Sequence, residues 1–130
     1  MSINNEGFFM FIRLNRTNKK IAMGLLSFMP EHKDLKELQE TMDRYANDEN
    51  WKLFLWKEEE DFIGIVGVHV ECEEVATIHD ICVNPSYRNQ GIGQKMVREL
   101  EEKLAPKTII ETTEDTHAFI EKCHCSKEGK

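Results

Sequence analysis

No stretch of the 130 residues is apolar for long enough to cross a bilayer. The N-terminus carries no apolar segment of the kind that directs secretion. The expectation is a cytoplasmic protein with reduced thiols and no membrane partner. Positive charge is also short: 17 Lys and Arg stand against 24 Asp and Glu, a formal net charge of −7. Holding DNA or RNA needs clustered cations to neutralise phosphates, so no nucleic-acid partner is expected. A small anionic ligand stays open, because one helix N-terminus can hold it locally. The four cysteines, Cys72, Cys82, Cys123 and Cys125, do not form the framework of a small disulfide-stapled domain. Cys123-His124-Cys125 has no second ligand pair at metal-binding spacing, so no metal is expected. Cys82 reads as a small core residue. Prolines number three and tyrosines two. Repeats and linkers are missing. The chain reads as one domain over residues 10–125, with a flexible extension at 1–9 and a flexible tail at 126–130. Met10 is an alternative start.

What is present is a hydrophobic fraction of 40%, enough for a core without disulfides at this length. Phe8 to Leu14 reads as a strand. Lys19 to Met29 reads as a helix with Ile21, Leu25 and Phe28 on its apolar side, stopped by Pro30. Asp34 to Tyr45 is a second helix, with Leu35, Leu38, Met42 and Tyr45 on one face. Leu53–Lys57, Phe62–Val70 and Val75–Val83 read as three strands of a meander, separated by acidic turns. Trp51, Phe54 and Trp56 read as core or as the wall of a cleft. Asn84 and Pro85 end the third of these strands. Gly91 to Leu104 is a helix closed by Pro106, and a short strand Lys107–Glu111 precedes a last helix Asp115–Lys122. Helices, then a meander, then strand-helix-strand-helix, imply an α/β layer with a mixed sheet.

Chemistry concentrates in Arg88-Asn89-Gln90-Gly91-Ile92-Gly93. A strand ends, a turn follows, and two glycines open a helix. Glycine lets the backbone approach a ligand and adopt conformations that a Cβ forbids. The first N–H groups of the helix, with roughly half a positive charge from the macrodipole, form an anion cradle. Arg88 and Lys95 are placed to add charge-assisted contacts to phosphate.

These residues resemble the R/Q-x-x-G-x-G/A signature of the GNAT family of N-acetyltransferases. The preceding Ile81-Cys82-Val83-Asn84-Pro85-Ser86-Tyr87 resembles that family's approach to the loop, and the order of elements is similar throughout. The resemblance implies a mixed, mostly antiparallel sheet flanked by helices; the family's last strands are expected to be truncated here, a departure from its pattern. It implies acetyl-CoA as acetyl donor. The strand backbone at Ile81 and Val83 would pair with pantetheine, and Arg88, Asn89, Gln90, Gly91, Ile92 and Gly93 would hold the pyrophosphate. It implies a small amine as acceptor and, since relatives often pair, a homodimer. Lys20 to Pro30 and Lys33-Asp34-Leu35-Lys36 further resemble acetyltransferases encoded with riboflavin biosynthesis in bacillus-like bacteria, which implies a bacterial protein linked to flavin metabolism.

One departure stands out. Many members carry a Tyr on the last helix that protonates the departing thiolate, and in Phe119-Ile120-Glu121-Lys122-Cys123 the matching residue is Ile120. A thiol with a pKa of about 8.5 leaves well without an acid. A base is still required for an ammonium acceptor. His79 is the first candidate, because imidazole titrates near neutrality. Strand alternation puts it on one face with Thr77, Ile81 and Val83, and puts Asp80 on the other. Asp80, acting through water, is the second candidate and His117 the third. A histidine satisfied at a sheet surface is the other reading of His79. Two functions follow: direct attack of an amine on the thioester in a ternary complex, or a non-catalytic acyl-CoA-binding or regulatory module with a degenerate site.

Overall fold

Alternating side chains along three successive strands organise the molecule. The structure, a computed structural model, describes residues 9–29, 34–72, 74–87, 90–104, 108–113 and 116–118. Its elements are β1 (Phe9–Arg13), α1 (Lys19–Leu26), α2 (Leu35–Asn47), β2 (Trp51–Glu58), β3 (Asp61–Cys72), β4 (Val75–Val83), a 3-10 turn (Pro85–Tyr87), α3 (Ile92–Lys103) and β5 (Ile109–Thr112). They form one sheet in the order β1-β2-β3-β4-β5, antiparallel except for the parallel pair β4–β5. The mixed, mostly antiparallel sheet flanked by helices is the expected one. Phe119 to Cys125, with Ile120 and the Cys-His-Cys cluster, lie outside the described residues.

Each face of the sheet carries its own core. Phe54, Trp56, Val66, Ile78 and Ile81 pack with Met96 and Leu100 of α3. Leu53, Leu55, Ile65 and Cys82 pack with α1 and α2. The strand period of two thus sorts the residues of β2 between two helical layers. Asp34 starts α2: its carboxylate accepts from Lys36 N–H at 2.9 Å. Leu38, Met42 and Tyr45 are buried as expected, whereas Leu35 is exposed.

α1 corrects the expected face. Ile21 and Phe28 are 40% and 44% exposed, and the buried side chains are Ala22, Leu25, Leu26 and Met29. The segment is apolar around most of its circumference, so spacing alone does not choose a side. Close approach to the sheet favours the side bearing the small Ala22.

Candidate active site

β4 is the strand on which the site is built. It pairs with β5 only from Val75↔Ile109 to Ile78↔Thr112. There the sheet forks. The Ile78 carbonyl accepts from the Thr116 hydroxyl at 2.9 Å and from Thr113 N–H at 3.4 Å. Thr113 N–H also donates to Thr116 Oγ1 at 2.9 Å. This interlocked turn leads the chain away from the sheet, while β4 continues along β3 to Val83. Asn84 N–H donates to the Ile63 carbonyl at 2.8 Å, which sets the phase of the ladder. In an antiparallel pair, hydrogen-bonding residues alternate with non-bonding ones. The N–H and C=O groups of Ile81 and Val83 therefore point away from β3, towards the side on which β5 has ended. Their side chains are buried in the α3 core, so it is their backbone that a ligand in the fork would meet.

Beyond Val83, Asn84 folds the chain back: its side chain accepts from Ser86 N–H at 2.9 Å and its carbonyl from Tyr87 N–H at 2.8 Å. Tyr87 Oη then donates to Asp61 Oδ2 at 3.1 Å, tying this turn to the start of β3 and raising the phenol's pKa. Arg88 and Asn89 lie outside the described residues, and Gln90 is exposed. Gly91 is the N-cap of α3, with a left-handed φ of 77°, no capping side chain among the described residues, and open space where a Cβ would stand. The first N–H groups of a helix have no partner within it. Ile92 and Gly93 are buried behind them. Gln94, third in α3, is 9% exposed, and its Nε2 is the one buried side-chain N or O without a hydrogen-bond partner among the described residues. Helical side chains lean towards the N-terminus, so this donor leans towards the cradle. Lys95 lines an open groove of about 570 Å³ with Phe9, Trp56, Asp61, Tyr87 and Arg98, on the flank of α3 that faces β1 to β3.

The first two base candidates stand on β4 just beyond the last residue paired with β5, and here the expected alternation fails. Gly67 pairs with Asp80 and Val68 with Ile78, leaving His79 as the extra residue of a β-bulge. Ile78 and Ile81 both enter the α3 core. His79 and Asp80 consequently share the opposite face, and His79 does not lie with Ile81 and Val83. Its ring sits 4.8 Å from Trp51 and 6.1 Å from His69 between centroids. Trp51 stacks on His69 at 4.5 Å, and the Arg44 guanidinium lies 4.7 Å from the Trp51 ring centre. Burial lowers the His79 pKa, with His69 and Arg44 adding to the effect and Asp80 opposing it. The imidazole is neutral near pH 7 and able to take a proton. Asp80 is buried and accepts a 2.5 Å hydrogen bond from Tyr45. His117 is exposed on the turn after β5.

Tyr45, Gly67, His69 and Gln94 belong to this region but are not singled out by the sequence. Tyr45 and Gly67 read there as helix core and strand glycine. The similar separation of His69 and His79 from the turn at Glu74 is the one local signal that could have paired the two imidazoles.

Comparison with known proteins agrees with this architecture. Residues 19–124 match the model of the Acetyltransferase (GNAT) family. An uncharacterized N-acetyltransferase in the lysA 3′ region of Bacillus methanolicus is 56% identical over 114 residues, covering 88% of this chain and 94% of that protein. The aminoglycoside N-acetyltransferase AAC(6′)-Iy in complex with CoA superposes with a TM-score of 0.71 at 14% identity, over 92% of this chain and 86% of that one. Spermidine N-acetyltransferase from Vibrio cholerae, in complex with CoA and spermine, gives 0.58 at 15% identity, over 73% and 62%. At these identities the two structures speak for the fold. The family match and the Bacillus relative go further: the chain belongs to the GNAT family of acetyltransferases.

Proposed function

We propose that the protein transfers acetyl from acetyl-CoA to a small-molecule amine by direct attack in a ternary complex. The observation that carries this reading is the fork between β4 and β5, opening beside an α3 N-terminus where, among the described residues, no side chain caps the helix and the buried Gln94 donor has no partner. Anionic phosphate suits that end of the helix. Arg88, Asn89, Gln90, Gly91, Ile92 and Gly93 would hold the pyrophosphate, and the backbone of Ile81 and Val83 the pantetheine. The amine nitrogen bonds to the thioester carbon and the carbon–sulfur bond breaks. The proton lost by the amine goes to His79, with Asp80 as the alternative acceptor through water. Backbone N–H groups near Ile81 and Val83 would stabilise the oxyanion, and water would protonate the departing thiolate. That CoA-bound relatives act on amines, aminoglycosides and spermidine among them, supports the acceptor class. A link to flavin metabolism, a cytoplasmic setting and a homodimer belong to the same proposal.

Ile120, at the position of the family's acid, favours a second reading: an acyl-CoA-binding or regulatory module without turnover. Two measurements separate them. Acetyl-CoA at a hundred times its dissociation constant should stabilise the fold by about 2.7 kcal/mol, read as a higher Tm. A panel of amines, with amine-bearing flavin precursors included, should release free thiol. Binding without thiol release from any amine selects the module, and no binding at millimolar acetyl-CoA defeats both.

A further inference from the structure

Leu38, Thr41, Met42 and Tyr45 are the buried residues of α2, and Tyr45 carries its hydroxyl at the far end of a ring. Its ring lies over Gly67 of β3. A Cβ there would run into the Tyr45 hydroxyl and ring carbons, so glycine makes the space the phenol fills. Gly67 is also the residue opposite the β4 bulge, paired with Asp80. Helix, glycine and bulge therefore converge on the 2.5 Å bond from Tyr45 Oη to Asp80 Oδ2. Tyr45 is 5% exposed and Asp80 6%, so neither meets an acceptor freely. Burial, and then Asp80, raise the Tyr45 pKa well above its ordinary value. The phenol keeps its proton and serves as a donor. Next to this bond the His79 ring remains partly exposed.

We propose that Tyr45 is a positioning residue for acetyl transfer: by holding the Asp80 carboxylate on the α2 side of the bulge, it sets the charge at the His79 imidazole that takes the acceptor's proton. This rests on the transferase reading above. The groups facing His79 are Asp80 on its own strand, His69 and Glu71 from β3, and Arg44 from α2; Trp51 of β2 adds an uncharged ring. Among them Asp80, and to a smaller extent Glu71, act to keep the proton on His79, and Tyr45 holds one oxygen of Asp80. A buried carboxylate that loses a donor turns to another cationic or N–H group. In Tyr45→Phe, the imidazolium of the neighbouring His79, already favoured by the Asp80 charge, is one such group, and the protonated form of His79 gains stability.

The test uses Tyr45→Phe with two readouts. The first is the imidazole titration of His79 by NMR, its signal assigned by loss in His79→Gln. The expected result is a midpoint raised by about one pH unit. The second is the pH–rate profile at saturating acetyl-CoA with an amine found by thiol release. There the acidic limb should move up by a similar amount, with kcat at neutral pH lower by about threefold at most, the loss of neutral imidazole that such a rise brings, and the acetyl-CoA KM unchanged. A variant with lowered Tm but an unmoved His79 midpoint would show that the bond only stabilises the fold, and would overturn the proposal. Wild-type protein without turnover on any amine would instead overturn the transferase reading, whatever the NMR midpoint does.

Discussion

Thr116, buried on the turn beyond β5, donates its hydroxyl to the backbone carbonyl of Ile78 on β4 across 2.9 Å. This bond marks the apex of the fork, since β4 and β5 pair below it and part above it. Thr116→Val keeps the shape and removes the donor. It should cost about 1–3 kcal/mol of stability, the range for a buried acceptor losing a partner, measured by urea denaturation. It should also weaken acetyl-CoA binding, since the walls of the fork are no longer held at that point. Unchanged affinity would mean that the fork does not depend on this turn.

Gly91 and Gln94 test the cradle in opposite senses. Gly91→Glu places bulk and negative charge where space is open, at a left-handed φ that costs a side chain about 1–2 kcal/mol. The domain should still fold, and CoA binding should vanish in calorimetry. Gln94→Ala removes a buried donor that has no partner among the described residues, so Tm should hold or rise. CoA affinity should fall about tenfold, as for one hydrogen bond to a charged group. Equal affinity in both variants would place the phosphates elsewhere.

Gly67→Ala drives a methyl group into the Tyr45 ring. Overpacking of this kind costs about 1–3 kcal/mol, and the Tyr45–Asp80 bond should break. A double variant, Gly67→Ala with Tyr45→Phe, should show less than the sum of the two single losses by chemical denaturation. Additive losses would show that the two residues do not act through each other.

His79 carries a pH signature in stability as well as in rate. Its folded pKa lies below the ordinary value because burial disfavours the imidazolium. The unfolded chain therefore takes up this proton more readily. Stability tied to the group is complete above about pH 6.5 and falls as pH drops through that value towards the folded pKa. In His79→Gln this part of the acid sensitivity should disappear from Tm measured between pH 7 and 5. His79→Ala should lower the transfer rate by about a hundredfold or more if the ring is the base. Full activity of that variant at every pH would pass the role to Asp80 or to water.

Sequence and structure agree where the cause is local. Asn84-Pro85 ends a strand, Gly91 opens a helix, and Asp34 starts one, each through backbone chemistry spanning a few residues. The β4-turn-α3 unit, and with it the family, was therefore legible from residues 81–93 alone. The meander was legible from its alternating apolar residues and acidic turns. The buried face of α1 was not, because an all-round apolar helix leaves the choice to the surface it packs on. Nor was the side of β4 that His79 occupies. A bulge has no composition of its own here; it exists because β3 opposes Gly67 to Asp80 and skips His79. That one-residue slip turned two side chains of opposite predicted faces into neighbours, and gave Tyr45, distant in sequence, a partner in Asp80. Local backbone preferences determined where the proposed cofactor loop stands in this chain. Which groups surround the proposed thioester was decided by strand register and by the room a missing Cβ leaves, and those arise only when distant segments pack against one another.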